Sequence, residues 1–292
     1  MSFKLVNEHA QSLSAQMTIA TQAASLAGEV IRNGYAEISN GTAFRFEQKG
    51  VGDLVSEIDR DADNASGSWI RQNSDYPLLS EELNADIAEE DDMWIVDPLD
   101  ASSAFLLQAG SSYPAVLVAL RKDGELNLGV CHFPLTGEWF YAQKGRGAWK
   151  DGKRLVCDSN ETLSEIWVEM NQYGAAEYET DYFRSLRHKL RSSDGARLVT
   201  SNVPHSGVAM RIAEGSSSLG AAIHDNNPMS VKQATWDVAA PQIILEEAGG
   251  VFLNSEGHRT NPFICEPIIV AQTHRIAQQI VDLGIAQRVS QP

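Results

Sequence analysis

Apolar residues near the start of the chain recur every three or four positions, which is the spacing of one face of an α-helix. Between 8 and 34 this pattern predicts one long amphipathic helix, with Gly34 as its end. A second helix is predicted to begin near Ser56. The apolar faces comprise Leu13, Met17, Ala20, Ala24, Ala27 and Ile31 in the first helix, and Ile58, Ala62, Ala65 and Trp69 in the second.

The pattern then changes to extended segments. Residues 93–96 form a short apolar strand, and from 115 to 156 apolar segments alternate with glycine-containing turn signals, which predict antiparallel hairpins. The second half mixes both kinds of element. Strands are predicted at 166–170, 196–199, 219–223, 251–253 and 267–271, and helices at 179–191, 206–214, 237–248 and 273–284.

Helices and strands mixed in this way predict an α/β (α+β) layered sandwich. No low-complexity linker divides the chain, so the boundary between its two parts is soft. We place an N-terminal α+β part at 1–160 and a C-terminal α/β part at 161–292, with the site between them.

Composition adds a constraint on partners. The chain has 292 residues, of which 39 are acidic and 23 are Lys or Arg, giving a net charge of −16. Such a protein repels nucleic acids and anionic membranes, so we expect neither as a partner. An anionic substrate would need local neutralisation, for which a divalent cation is the obvious candidate.

The cysteines and the N-terminus predict a cytoplasmic location. Cys131, Cys157 and Cys265 show no CxxC spacing, which is typical of structural thiols in a reduced compartment. No signal-peptide pattern is evident at the N-terminus, and the longest apolar run, 115–120, is far shorter than the ~20 residues of a membrane span.

Several acids stand where α/β proteins build sites, at strand ends and helix starts. Glu81 and Glu82 follow an apolar stretch, Asp97 and Asp100 end the apolar strand that begins at 93, and Asp237 begins a predicted helix. Each group alone has a structural explanation: a solvated surface pair, helix-capping acids, and an acid that complements a helix dipole. Their combination predicts a metal site.

Asp97-Pro98-Leu99-Asp100 predicts a particular geometry. If a helical turn begins at Pro98, Asp97 and Asp100 face the same way, with the Leu99 carbonyl beside them. Oxygen ligands suit Mg²⁺ or Mn²⁺ and not zinc. The backbone N–H groups that follow would open a helix, which favours phosphate binding. They belong to Ala101, Ser102 and Ser103.

These motifs, in this order, resemble those of the inositol monophosphatase family, whose members include histidinol-phosphate and 3′(2′),5′-bisphosphate nucleotide phosphatases. The segment 49–59, the hairpins at 115–155 and the segment 246–250 match as well, so the resemblance covers roughly 45–255. It implies the layered fold of the inositol monophosphatase/fructose-1,6-bisphosphatase type, with alternating helix and sheet layers, and a homodimer.

The resemblance also implies roles for individual residues. Glu81, Asp97 and the Leu99 carbonyl are similar to the ligands of a first Mg²⁺, and Asp97, Asp100 and Asp237 to those of a second. The resemblance implies two or three Mg²⁺ ions per site, with Mn²⁺ as a substitute. Asp53 resembles the acid that acts with a hydroxyl, here Ser102, to deprotonate the attacking water. The catalytic set is therefore Asp53, Ser102 and Glu81, and the backbone of Ala101, Ser102 and Ser103 would bind phosphate.

One departure from the family pattern concerns the two residues after Asp100. The pattern has Gly-Thr, whereas this chain has Ala101-Ser102. Ser102 keeps the hydroxyl but lacks the methyl group that restricts its rotamer, and Ala101 would be strained if the backbone needs a positive φ.

The leading hypothesis is a Mg²⁺-dependent phosphomonoesterase for a small phosphorylated metabolite such as inositol 1-phosphate. Histidinol phosphate, suggested by Ala104-Phe105, and a 3′(2′),5′-bisphosphate nucleotide are alternatives. A catalytically weakened homologue that binds metal and anion is a further one. The region expected to shape the substrate pocket contains His205, Ser206, His224 and Lys232, although solvated or core positions are the favoured explanation for the histidines.

A calcium loop is excluded for Asp59, Asp61 and Asp63. Position six of such a loop is Asn64 and position twelve is Ile70, where glycine and glutamate are required. These three acids are predicted to form the exposed face of a helix.

Overall fold

The computed structural model describes residues 3–41, 46–50, 53–106, 114–158, 162–172, 180–192, 197–199, 205–215, 219–225 and 235–285. The helices in these ranges are α1 Phe3–Leu13, α2 Ala15–Ser39, α3 Glu57–Asn73, α4 Ser102–Leu106, α5 Asp181–Ser192, α6 His205–Ala213, α7 Thr235–Ala248 and α8 His274–Ile285. None of these helices has the length and apolar character that a membrane span requires.

The strands form three sheets. In chain order they are β1 Phe46–Gly50, β2 Asp53–Ser56, β3 Leu78–Ser80, β4 Met93–Asp100, β5 Ala115–Lys122, β6 Glu125–Phe133, β7 Glu138–Gln143, β8 Gly147–Lys150, β9 Lys153–Leu155, β10 Trp167–Gln172, β11 Arg197–Val199, β12 Leu219–Asp225, β13 Val251–Asn254 and β14 Ile268–Ala271. β1 and β2 form a hairpin, and β3 to β9 follow one another in a seven-stranded sheet. The third sheet has the order β11-β10-β12-β14-β13.

Side-chain alternation along the strands shows how the layers stack. Trp94 and Val96 of β4 pack with helices α2 and α3, whereas Met93 and Ile95 face the opposite side, towards α6 and α7. Residues of β12 and β14 likewise alternate between the α6–α7 layer and a layer formed by α5 and α8. The order is helices, sheet, helices, sheet, helices. This confirms the predicted sandwich of alternating layers.

The first predicted helix is divided in two. Ser14 interrupts it and caps α2, since its hydroxyl accepts the N–H of Met17. Gly34 does not end α2, which continues to Ser39. A Cβ on Gly34 would lie 2.5 Å from Cδ1 of Ile58, so this glycine permits α2 and α3 to approach closely.

The predicted exposed acidic face of α3 is wrong for two of its three members. Asp59 and Asp63 are buried, at 2% and 0% exposure, and only Asp61 is exposed. The buried acids share one helix face with Ala62, Ser66 and Ile70, which the spacing of three and four explains.

Helix α7 lies between the two large sheets and is fixed at two places. A Cβ on Gly129 of β6 would lie 2.7 Å from the carbonyl oxygen of Ala240, so α7 packs against the bare backbone of β6. Near the other end, the Glu247 carboxylate accepts the N–H groups of Gly145 and Gly147, each at 2.8 Å. The position of the first turn of α7, which carries Asp237, is therefore set by the sheet.

Candidate active site

The acids singled out by sequence lie at the ends of three elements. Asp97 and Asp100 stand at the C-terminal end of β4, Glu81 directly follows β3, and Asp237 is in the first turn of α7. Because β3 and β4 are parallel, their C-terminal ends reach the same edge of the sheet. The fold thus brings residues from both halves of the chain to this edge.

Three carboxylates converge there. One oxygen each of Asp97, Asp100 and Asp237 lies within 4.8 Å of the other two. Asp97 and Asp100 are buried, at 1% and 8% exposure, and Asp237 is half-buried. Glu81 is close enough for its charge to raise the pKa of Asp97.

A β-bulge accounts for the convergence of Asp97 and Asp100. The helical turn predicted at Pro98 is wrong, because β4 stays extended through Asp100. Asp97 pairs with Leu117 and Asp100 with Ala115, so three steps along β4 match two along β5. Without the bulge, residues three apart in a strand would point to opposite faces; the extra residue restores a common face. Asp97 Oδ1 also accepts the N–H of Leu99 at 2.9 Å.

Asp63 holds the turn that carries Glu81. Its Oδ2 accepts the N–H groups of Glu82 and Leu83 at 3.1 and 3.0 Å. On the other side of the turn, the N–H of Glu81 donates to the carbonyl of Val96 at 3.3 Å. α3 and β4 therefore fix the Glu81 backbone from two sides. Asp59 lies one turn before Asp63 on the same helix face.

The electrostatics of the cluster fit a divalent cation. Burial and then the charges of Glu81, Asp100 and Asp237 raise the pKa of Asp97 well above its ordinary value. Burial also raises the pKa of Asp100 to about 6, although hydrogen bonds from Ser206 and from the Ala101 backbone oppose the rise. A set of buried oxygen ligands whose mutual repulsion is relieved by positive charge is what Mg²⁺ requires.

The backbone of Ala101 has the left-handed conformation that the glycine of the family pattern would favour. Its φ is 70°, a region that costs a residue with a Cβ about 1–2 kcal/mol relative to the right-handed region. This strained residue directly precedes α4, whose first residue is Ser102. The Ala101 carbonyl accepts the N–H of Phe105 at 2.9 Å. The chain therefore keeps this conformation without glycine.

The structure describes some of the remaining predicted site residues fully, some only in their backbone, and Lys232 not at all. Ser206 is fully buried in the first turn of α6, and its hydroxyl donates to Asp100 Oδ2. His224 is fully buried in β12, and the Leu99 side chain belongs to the core. Lys232 lies outside the described residues. The side chains of Asp53, Ser103 and His205 also lie outside what the structure describes, although their backbones belong to β2, α4 and α6.

Sequence reasoning missed Asp59 and Asp63 as neighbours of the site. Their signal was present, because positions 59, 62, 63, 66 and 70 repeat with helical spacing and include Ala62 and Ile70. Ser56 and Asp59 also match a capping box, and the structure contains it: the Asp59 carboxylate accepts the N–H and hydroxyl of Ser56 at 2.8 and 2.6 Å.

We expect the metal-free protein to lose stability from the cluster as the pH rises through about 6. The folded-state pKa of Asp100 lies above its ordinary value, so its contribution is fully present below pH 4 and is lost as the group ionises. Urea unfolding in the presence of chelator, from pH 4 to 7.5, measures this contribution. The free energy of unfolding of Asp100→Asn should rise relative to that of the wild type as the pH rises, by on the order of 1–3 kcal/mol. Parallel pH dependences of the two proteins would contradict this assignment.

Ala101→Gly should raise the free energy of unfolding by about 1 kcal/mol, because glycine adopts a positive φ without a Cβ penalty. The matched control is Ala65→Gly in α3, where the same exchange should lower it by about 1 kcal/mol. Urea unfolding of both variants measures the two signs. An equal loss in both would show that Ala101 is unstrained.

Comparisons with known proteins agree with this fold. A model of the inositol monophosphatase family matches residues 13–289. An inositol-1-monophosphatase of Rhizobium meliloti is 30% identical over 253 residues, covering 84% of this chain and 87% of the relative. The crystal structure of the extragenic suppressor protein suhB from Bartonella henselae aligns with a TM-score of 0.76 at 25% identity, covering 93% of this chain and 98% of that one.

A structure described as an IMPase/NADP phosphatase complexed with Mg²⁺ and phosphate shares the fold, with a TM-score of 0.68 at 19% identity over 87% of this chain and 93% of that one. The family match extends over nearly the whole length of the chain. The chain belongs to the inositol monophosphatase family.

Proposed function

We propose that the protein is a Mg²⁺-dependent phosphomonoesterase that hydrolyses a small phosphorylated metabolite. The observation that carries the proposal is the convergence of Asp97, Asp100 and Asp237 within 4.8 Å, at an edge where Glu81 adds a fourth acid. Two buried and two half-buried acids at one edge need positive charge, and a cation held by them could neutralise a phosphate ester. The fold neighbour with Mg²⁺ and phosphate supports the same chemistry.

The residues divide into three tasks. Glu81, Asp97, Asp100, Asp237 and the Leu99 carbonyl would hold the cations, which supply charge neutralisation and Lewis acidity when bound. The backbone N–H groups of Ala101, Ser102 and Ser103 would orient the phosphate. A carboxylate with Ser102 would align the attacking water and accept its proton, so that the phosphorus–oxygen bond opposite the water breaks.

Two acids compete for the role of proton acceptor. The resemblance assigns it to Asp53 in β2, and β2 contacts the helix that carries Ser102. The structure adds Asp59, a buried carboxylate on the α3 face that approaches the Glu81 turn. Its Oδ2 accepts the N–H and the hydroxyl of Ser56, which holds the carboxylate at the start of α3.

Inositol 1-phosphate is the first candidate substrate, because the family is described as inositol monophosphatase and the Rhizobium meliloti relative as an inositol-1-monophosphatase. The argument for histidinol phosphate from Ala104-Phe105 is weaker, since the Phe105 side chain is 1% exposed and packs near Tyr35 in the helical layer. We further propose that the enzyme acts in the cytoplasm as a homodimer.

Phosphate release from four esters tests the proposal: inositol 1-phosphate, histidinol phosphate, 3′-phosphoadenosine 5′-phosphate and fructose 1,6-bisphosphate. We expect release from inositol 1-phosphate with Mg²⁺, less with Mn²⁺ and none with chelator. Asp237→Asn should lower kcat/KM at least 100-fold because it removes a ligand charge. Asp123→Asn, an exposed turn acid, should change nothing. Release that survives chelation would contradict the proposed chemistry.

Asp53→Asn and Asp59→Asn, made separately, identify the proton acceptor. The acceptor's variant should lose roughly 10²–10⁴ in kcat while its Mg²⁺ affinity, measured by calorimetry, stays within about twofold. Asp59→Asn should in addition lose about 1 kcal/mol of stability, because it weakens the capping box. Full kcat in both variants would place the proton acceptor outside 53–59.

One observation favours a second candidate function, a metal- and anion-binding protein with weakened catalysis. Ala101 stands at φ 70° where the family pattern has glycine, and its Cβ adds bulk at the backbone proposed to bind phosphate. Mg²⁺ binding by calorimetry without release from any of the four esters would support this candidate.

A further inference from the structure

Ser206 makes a contact that none of the assigned roles uses. Its hydroxyl donates a hydrogen bond to Asp100 Oδ2, across 106 positions of sequence. Ser206 is fully buried and Asp100 is 8% exposed, so bulk water has little access to compete for this hydrogen bond. A buried hydrogen bond to a carboxylate is about twice as strong as one between neutral groups.

The contact limits how the Asp100 carboxylate can rotate. Repulsion from Asp97 and Asp237 favours turning the Asp100 oxygens away from the cluster. A donor that occupies Oδ2 opposes this rotation and holds the Asp100 carboxylate in its place beside the other two. Because serine is neutral, it orients the ligand without supplying a positive charge that would compete with a cation.

Ser206 is itself held by the far end of α6. Arg211 of α6 donates to Glu214 at 2.8 Å and contacts Glu138 of β7 at 3.2 Å. Lys150 of β8 contacts the same two acids, Glu138 at 2.6 Å and Glu214. Although burial alone would raise it, hydrogen bonds from Lys150 and Arg211 lower the pKa of Glu138 to about 2. This four-charge network fixes α6 on the seven-stranded sheet, so Ser206 does not follow movements of the carboxylate.

We propose that Ser206 is a positioning residue that orients the Asp100 carboxylate for cation binding and thereby sets the Mg²⁺ affinity of the site. The inference rests on the proposed function, because it takes the carboxylate cluster to be the cation site. It moves Ser206 from the substrate pocket to the support of a metal ligand.

Mg²⁺ titration calorimetry on the full chain tests the proposal without any substrate. Ser206→Ala should raise the dissociation constant for Mg²⁺ about 10- to 100-fold, the range seen when hydrogen-bond partners of metal ligands are removed. The increase in Tm that Mg²⁺ produces should shrink accordingly. The matched control is Ser66→Ala, which removes an equally buried hydroxyl that donates to the backbone carbonyls of Ala62 and Asp63, and it should leave the Mg²⁺ affinity unchanged.

Ser206→Cys separates hydrogen bonding from packing. A cysteine side chain fills the space of the serine but is a weak hydrogen-bond donor. The Mg²⁺ affinity of Ser206→Cys should therefore stay near that of Ser206→Ala. Affinity restored to the wild-type value by cysteine, or equal affinities of wild type and Ser206→Ala, would overturn the positioning role. If wild type itself binds no Mg²⁺, the proposed function fails first, and that result is distinguishable because it appears without any substitution.

Discussion

Repulsion among Asp97, Asp100 and Asp237 is the interaction on which the rest of the site depends. With one oxygen of each within 4.8 Å of the others, each pair of ionised groups repels by about 3–4 kcal/mol at an effective dielectric constant of ~20. The buried sheet edge cannot screen this charge as water does. Folding therefore concentrates negative charge where a cation relieves it. Burial and this repulsion together raise the pKa of Asp97, and burial raises the pKa of Asp100.

The layered architecture keeps the acids in place despite that repulsion. β4 is buried along its whole length between two helical layers, so its end cannot move outward. α7 is held against the bare backbone at Gly129 and by Glu247 at the β7–β8 turn. Packing energy distributed over the core thus opposes a local electrostatic cost, as is common at functional sites.

Neutral hydrogen bonds complete the arrangement where charges would be counterproductive. The Ser206 hydroxyl donates to the Asp100 carboxylate, and the N–H of Glu82, in the turn that carries Glu81, donates to Asp63. Lys150 and Arg211 lie in the network at the far end of α6. A basic residue inside the cluster would occupy the place of the cation. Because Lys150 and Arg211 lie in a separate network, they fix α6 without neutralising the site.

Much of the fold followed from local patterns. Helical spacing predicted α3 and α7, turn signals predicted the hairpins from 115 to 156, and the acidic motifs indicated which residues would meet. The predicted end of the first helix at Gly34 was wrong, because the close packing of Ile58 that this glycine serves is a contact between helices. The predicted exposure of Asp59 and Asp63 was wrong, because their helical spacing places them on the buried face of α3 despite their charge.

The sequence by itself determined the family, the layer types and the identity of the clustered acids, since each depends on residue type and spacing along the chain. Only the tertiary structure decided how the acids meet. The bulge between β4 and β5, the positive φ of Ala101 and the hydrogen bond from Ser206 to Asp100 each depend on a neighbour. Strand pairing sets the bulge, and packing of distant segments brings the serine to its partner. Spacing along the chain carries no information about such contacts, because their energy comes from atoms that only folding brings together.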